Sequence, residues 1–176
     1  MQRLKPSLPA VLAALLMAAA YGQACMARTQ PAQTRLFQGA WFSVRYPATF
    51  RVRPSQRSVT GPGYDSAFFT APDQSVQFYV FSPQWNGEPR DCQIDSRREV
   101  LVDEHVEVGR RPHGATSARQ VTVRARDGNY ERSWVDVATP ENTRLVFGIR
   151  YRNAAALKAY RPQYLAFKKS LAQSGD

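Results

Sequence analysis

Residues 118–152 read ARQVTVRARDGNYERSWVDVATPENTRLVFGIRYR, and the fold follows from how that string alternates. Asp127-Gly128 lies between two alternating runs, a strong short-range signal for a β-hairpin whose two central residues both take positive φ. With Asp127-Gly128 as a two-residue loop, Arg126 faces Asn129 and Ala125 faces Tyr130. Arg124 then meets Glu131, Val121 meets Trp134 and Arg119 meets Asp136. Opposite charges and an aromatic against a β-branched residue are favourable cross-strand pairs. A third run places Leu145, Phe147, Ile149 and Tyr151 on one side and Arg144, Val146, Gly148 and Arg150 on the other. The expectation is an antiparallel meander with one buried face carrying Val121, Trp134, Phe147 and Ile149.

Outward from this meander, the fold class reads as α+β: an antiparallel, meander-rich sheet packed by a C-terminal helix. Trp41-Phe42-Ser43-Val44-Arg45-Tyr46 starts the domain as a strand, either half-buried on both sides or with Trp41 at its edge. Phe50-Arg51-Val52-Arg53 resumes after Pro47. Ala67-Phe68-Phe69 and the run from Ser75 to Phe81 follow, with Val76, Phe78 and Val80 on one face and Gln77, Tyr79 and Phe81 on the other. Ser96-Arg97-Arg98-Glu99 has the form of a helix capping box. The β-branched alternation of Val100, Val102, Val106 and Val108 favours a strand instead. Asn153 can cap a short helix to Tyr160, and Pro162 suits the first turn of a second one. Tyr160, Tyr164, Phe167 and Leu171 recur at helical spacing and would cover the sheet.

The chain of 176 residues carries a formal net charge of +10, with two cysteines and two histidines. Arg3 and Lys5 precede an unbroken apolar run over residues 11–20, then small residues, which is the layout of a secretory signal peptide. That run falls short of the roughly 20 residues needed to cross a bilayer. The domain reading is a signal peptide over 1–24, a flexible tether over 25–39 and one α+β domain over 40–176. Gly22-Gln23-Ala24-Cys25 resembles a lipobox, making Cys25 a lipidation candidate. Cleavage after Ala20 or Ala27 competes with cleavage after Ala24, and a retained Cys25 would be free to join Cys92 in a disulfide. The expected location is exported and periplasmic, with an outer-membrane lipid anchor if Cys25 is acylated. Membrane attachment would come only through that lipid, and the address disfavours nucleic acid as a partner.

Catalytic signatures are sparse. Gly61-Pro62-Gly63 has no helix after it and cradles no phosphate. Asp103, His105 and Glu107 share a strand face as a weak hard-metal cluster, more economically a solvated face. Cys92 with His113 has the residue types of a cysteine hydrolase, but nothing nearby supplies an oxyanion hole or lowers the thiol pKa. The expectation is therefore no enzyme, no cofactor and no metal, with a small envelope hydrolase using Cys92 or the acidic cluster as the rival. The candidate partner surface is the face opposite the expected core: Arg124, Val135, Arg144, Val146, Arg150 and Arg152, with Gln120, Thr122, Arg126 and Val137 beside them. An apolar centre with an arginine rim is how a binding surface is built.

The segment Phe42-Ser43-Val44-Arg45-Tyr46-Pro47-Ala48-Thr49-Phe50-Arg51-Val52 resembles the opening of the PsbP-like superfamily, where an aromatic-x-hydrophobic-x-Tyr-Pro strand leads into a turn and a second strand. Phe167-Lys168-Lys169-Ser170-Leu171 is similar to the closing helix of such proteins. The resemblance implies an α-β-α sandwich and, through its DcrB-like envelope members and adaptor chaperones, a non-catalytic binding or assembly module. Its partner would be an envelope protein or hydrophobic segment, in a chaperone-, adaptor- or immunity-like role. The alternative partner is an anionic envelope polymer held by the arginines.

Overall fold

The computed structural model describes residues 33–84, 87–111, 114–139 and 143–174, with backbone alone at 110, 111 and 114. The expected signal peptide, Cys25 and His113 lie outside the described residues. Strands β1 (Thr34–Gln38) and β2 (Phe42–Pro47) pair antiparallel, and the short β10 (Ala172–Gln173) joins the other side of β2. The expected tether is thus too long, because residues 34–38 belong to the fold. Phe37 ties them down, its ring 5.8 Å from that of Phe42 and 5.5 Å from that of Phe69. Trp41 stands at the edge of β2 and donates its indole N–H to Thr60 Oγ1 at 2.8 Å, leaving Phe42, Val44 and Tyr46 to the core.

A second, seven-stranded sheet holds β3 (Arg51–Pro54), β4 (Ser66–Thr70), β5 (Val76–Phe81), β6 (Glu99–Arg111), β7 (Gly114–Ala125), β8 (Glu131–Ala138) and β9 (Arg144–Tyr151). Its order is β3-β4-β5-β9-β8-β7-β6, with every neighbour antiparallel. The β7–β8 register is the expected one: Arg124 faces Glu131, Val121 faces Trp134 and Arg119 faces Asp136. The loop differs. Gly128 alone takes positive φ, at 73°, and Asp127 does not. Gly128 N–H donates to Ala125 O at 3.0 Å and Ala125 N–H to Tyr130 O at 2.9 Å, so four residues turn the chain. Asp127 Oδ1 accepts the Asn129 N–H at 3.0 Å, a local bond that stabilises this longer turn.

The β8–β9 phase corrects the expected single core face. Trp134 pairs with Gly148 and Val135 with Phe147, so Phe147 and Ile149 point away from Val121 and Trp134. Gly148 explains the choice: a Cβ there would stand 2.9 Å from Trp134 Cβ and from Ser133 O. The sheet therefore has a core on each side. On one side Phe42, Val44, Phe69, Val76, Phe78, Val80, Ile149 and Phe167 pack together; on the other, Tyr79, Phe81, Cys92, Val121, Val123, Trp134 and Val146. β5 alternates between the two as its sequence predicts.

Helix α1 (Ala154–Lys169) closes the first side. Asn153 caps it as expected, its Oδ1 accepting Ala156 N–H at 2.9 Å. The expected break at Pro162 does not occur, and one helix runs through it. An internal proline removes one helical hydrogen bond, but Pro162 is exposed and the packed face holds the two halves in line. Phe167 is fully buried, its ring 5.1 Å from Phe69 and 5.2 Å from Phe78, and Tyr164 lies 5.2 Å from Phe78. On the second side, where the resemblance implies another helical layer, the described residues 82–84 and 87–98 show loop with one 3₁₀ turn, Arg90–Cys92. Two clamps hold that loop. Arg132 donates to Asp91 O at 3.0 Å and Gln93 O at 2.7 Å, and Arg144 to Gly87 O at 2.9 Å.

Candidate functional site

Between the 91–98 part of this loop and the 126–130 hairpin turn lies an open groove of about 680 Å³ on the sheet face opposite α1. Gln77 and Arg150, directly paired across β5 and β9, line it and two adjoining cavities as well. Arg97, Arg98, Arg126 and Arg132 also border it, with Phe68 and Tyr130 as aromatic surface. The Arg150 guanidinium sits 4.0 Å over the Tyr130 ring, and Arg132 lies 4.8 Å over Trp134. Stacking on an aromatic holds an arginine in place while leaving its N–H edges free to donate.

The carboxylates of the groove are already engaged. Glu99 takes Arg132 bidentately, Nε–Oε1 and Nη2–Oε2 both 2.7 Å, and accepts the Tyr130 hydroxyl at 2.9 Å. Burial alone would raise the Glu99 carboxyl, but the bonds from Arg132 and Tyr130 outweigh it and hold it below the ordinary value. Asp91 accepts from Ser55 at 3.0 Å, Ser66 at 3.2 Å and Tyr79 at 3.4 Å. Asp127 accepts from Asn129, and Asp95 from Arg97 N–H at 3.0 Å, with Arg98 at 3.8 Å. Arg97, Arg126 and Arg150 have no carboxylate partner among the described residues. The groove thus offers three arginines without a carboxylate partner beside a buried Glu99 held by Arg132, while Asp95 and Asp127 stay exposed at its border.

The sequence-based surface residues divide between the two faces. Arg150 lines the groove, and Arg152 lies beside it in an adjoining cavity of about 330 Å³. Val146 is on the same face but fully buried under Phe81 and Trp134, out of any partner's reach. Arg144 is held by Asp136, Nε–Oδ1 2.8 Å and Nη2–Oδ2 2.6 Å, and so is an internal clamp. That bond also takes Asp136 from Arg119, which instead reaches Glu104 at 2.7 Å. Arg124 and Val135 belong to the opposite face, Arg124 paired with Glu131 at 2.9 Å and Val135 half-buried. One continuous surface of all six does not exist, because the β9 phase separates them. Gln77, Tyr130 and Arg97 were missed, since nothing local in the sequence brings a 91–98 loop over a turn thirty residues later.

Cys92 is buried beneath the groove against Tyr79 and Trp134, and burial pushes its thiol up to about 12. A thiol so shifted is protonated at neutral pH and is a poor nucleophile. His105 Nε2 lies 3.3 Å from Glu107 Oε1 on the exposed strand β6, and no cluster of metal-ligating residues occurs among the described residues. No helix among them is long and apolar enough to cross a membrane.

No protein-family model and no curated protein matches the chain. Its structure is similar to the solution structure of cyanobacterial PsbP (CyanoP) from Synechocystis sp. PCC 6803, with 8% identity over 83% of this chain and 95% of that one, at a TM-score of 0.48. A crystal structure from Bacteroides thetaiotaomicron is also similar, at 13% identity and a TM-score of 0.35, over 80% of this chain and half of that one.

Proposed function

We propose that the protein is an exported, non-catalytic binding module that holds an anionic group of an envelope component in the groove over Gln77 and Arg150. The observation that carries this reading is Arg150: exposed, stacked on Tyr130, without a carboxylate partner among the described residues, and common to three adjoining cavities. Arg97 and Arg126 add further guanidinium donors along the rim that no carboxylate among the described residues occupies, and a cluster of such donors attracts anions. Phosphate and carboxylate suit the planar, bidentate donor edge of arginine. In the envelope such groups occur on lipopolysaccharide and on anionic wall polymers. The signal-peptide layout of residues 1–24 supports the address.

Titration of the mature protein with lipopolysaccharide at rising salt tests the reading. Binding should weaken as salt screens the arginines. Arg150→Gln should lower affinity by about tenfold, the loss expected for one charge-assisted contact. Equal affinity of Arg150→Gln and the parent chain would refute the role of the groove.

A further inference from the structure

Strand β6 ends the seven-stranded sheet and runs thirteen residues, Glu99–Arg111, with one side of its backbone unpaired by any strand among the described residues. The opposite edge, β3, has only four residues, ends in Pro54 and carries Arg51 and Arg53. Short length, proline and charge are how proteins close a sheet edge. β6 is long and free of proline; its charges are acidic along its length with Arg110 and Arg111 at its end, and it has one bulge between Leu101 and Asp103. Beyond that bulge its register with β7 is regular to Arg111. Leu101, Val102, Val106 and Val108 are 46–67% exposed and make up four of the eight exposed large apolar residues among those described. Such a concentration on one unpaired edge marks an interaction site.

The two sides of this strand differ in chemistry. Opposed residues of antiparallel strands share a face, so Asp103, His105 and Glu107, opposite Thr122, Gln120 and Ala118, lie together on the α1 side of the sheet. Leu101, Glu104, Val106 and Val108, opposite Val123, Val121, Arg119 and Ser117, lie on the groove side. Glu104 is neutralised there by Arg119 at 2.7 Å, which leaves that side apolar in effect. On a chain of net charge +10, the other side is a local acidic strip.

We infer that β6 is a strand-addition site for an extended partner segment that alternates Lys or Arg with β-branched or other apolar residues. Main-chain hydrogen bonds to the free edge would give affinity, and alternate side chains would give specificity. The basic residues would lie against Asp103 and Glu107 and the apolar ones against Leu101, Val106 and Val108, as cross-strand pairing favours. A second copy of the chain fits less well, because fully overlapped antiparallel β6 strands would set Asp103 against Glu107 twice. The site lies outside the groove and uses none of its arginines.

The test is fluorescence anisotropy of a labelled Lys-Val-Arg-Val-Lys-Val-Arg-Val peptide with the mature protein, alongside amide hydrogen exchange of β6. The peptide should bind and slow exchange of β6 amides. Val106→Lys and the double variant Asp103→Lys/Glu107→Lys should each weaken binding by about tenfold or more, a conventional threshold for a central contact. All these side chains are exposed, so the variants should keep the parent melting temperature. Arg150→Gln should bind the peptide unchanged, which keeps failure at this edge separate from failure of the groove. Equal binding of a Glu-Val peptide, or undiminished binding by the double variant, would overturn the inference. So would β6 protection that depends on protein concentration without peptide, since that would assign the edge to a second copy.

Discussion

The two faces of the seven-stranded sheet are built by different physics. The face under α1 is sealed by aromatic rings: Phe167 lies 5.1 Å from Phe69, 5.2 Å from Phe78 and 6.5 Å from Tyr164, and burial of the phenylalanines needs no polar partner. The other face has a smaller apolar core, and its cover is a loop bound to the sheet by Arg132 and Arg144 through backbone carbonyls and buried carboxylates. Hydrophobic burial is non-directional, so the first face can be strong without shaping a site. Directed ion pairs fix a loop at a distance from the sheet, and a groove is what remains between them.

The largest stability loss should come from opening the sealed face. Phe167→Ala should lower unfolding free energy by about 3–5 kcal/mol, the range for a buried phenylalanine, as read by urea denaturation. A loss below 1 kcal/mol would show that α1 is not the lid of the core.

On the groove face, Arg132→Met should cost about 3 kcal/mol, because it leaves Glu99 buried without its cation and frees two backbone carbonyls. Exchange of the 91–98 amides should rise with it. The Glu99 carboxyl titrates below its ordinary value in the fold, so its contribution is present above the ordinary carboxylate range and lost as pH falls through the lowered value. The parent chain should lose stability across that acid window, and Arg132→Met should lose less there. Identical acid profiles would remove Glu99 from the account.

A smaller effect of opposite sign is expected at Asp65. It is buried, its Oδ1 has no hydrogen-bond partner, and burial raises its carboxyl above the ordinary value. A raised value favours the fold below the ordinary carboxylate pKa, and that contribution is lost as pH rises through the folded value. At neutral pH the ionised Asp65 therefore costs stability. Asp65→Asn should raise the neutral-pH melting temperature slightly and leave the acid value unchanged. A lower melting temperature at neutral pH would mean that the carboxylate has a structural role.

The hairpin was legible because Asp127-Gly128 is a local signal, and all its cross-strand partners follow from one turn. The phase of β9 was not, since its intervening loop carries no comparable signal and both Val146 and Phe147 are apolar. Gly148 held the missing information: a glycine between large residues on a strand reads in hindsight as room for a facing Trp134. β1 was lost to its polar composition, with Phe37 as its main anchor, and the unbroken α1 to the general rule about proline. Of the groove, Arg150 and Arg152 were among the sequence candidates. Gln77, Tyr130 and Arg97 are joined to them only by sheet topology, which no short window of sequence contains.

The central claim, that the groove receives an anion at Arg150, is tested most directly by nuclear magnetic resonance of the side-chain N–H groups. Inorganic phosphate titrated into the protein should shift the Arg150 Nε–H and the Gln77 amide, while the Arg124 and Arg144 signals, engaged with Glu131 and Asp136, stay still. Equal movement of all four, or none at Arg150, would contradict the account.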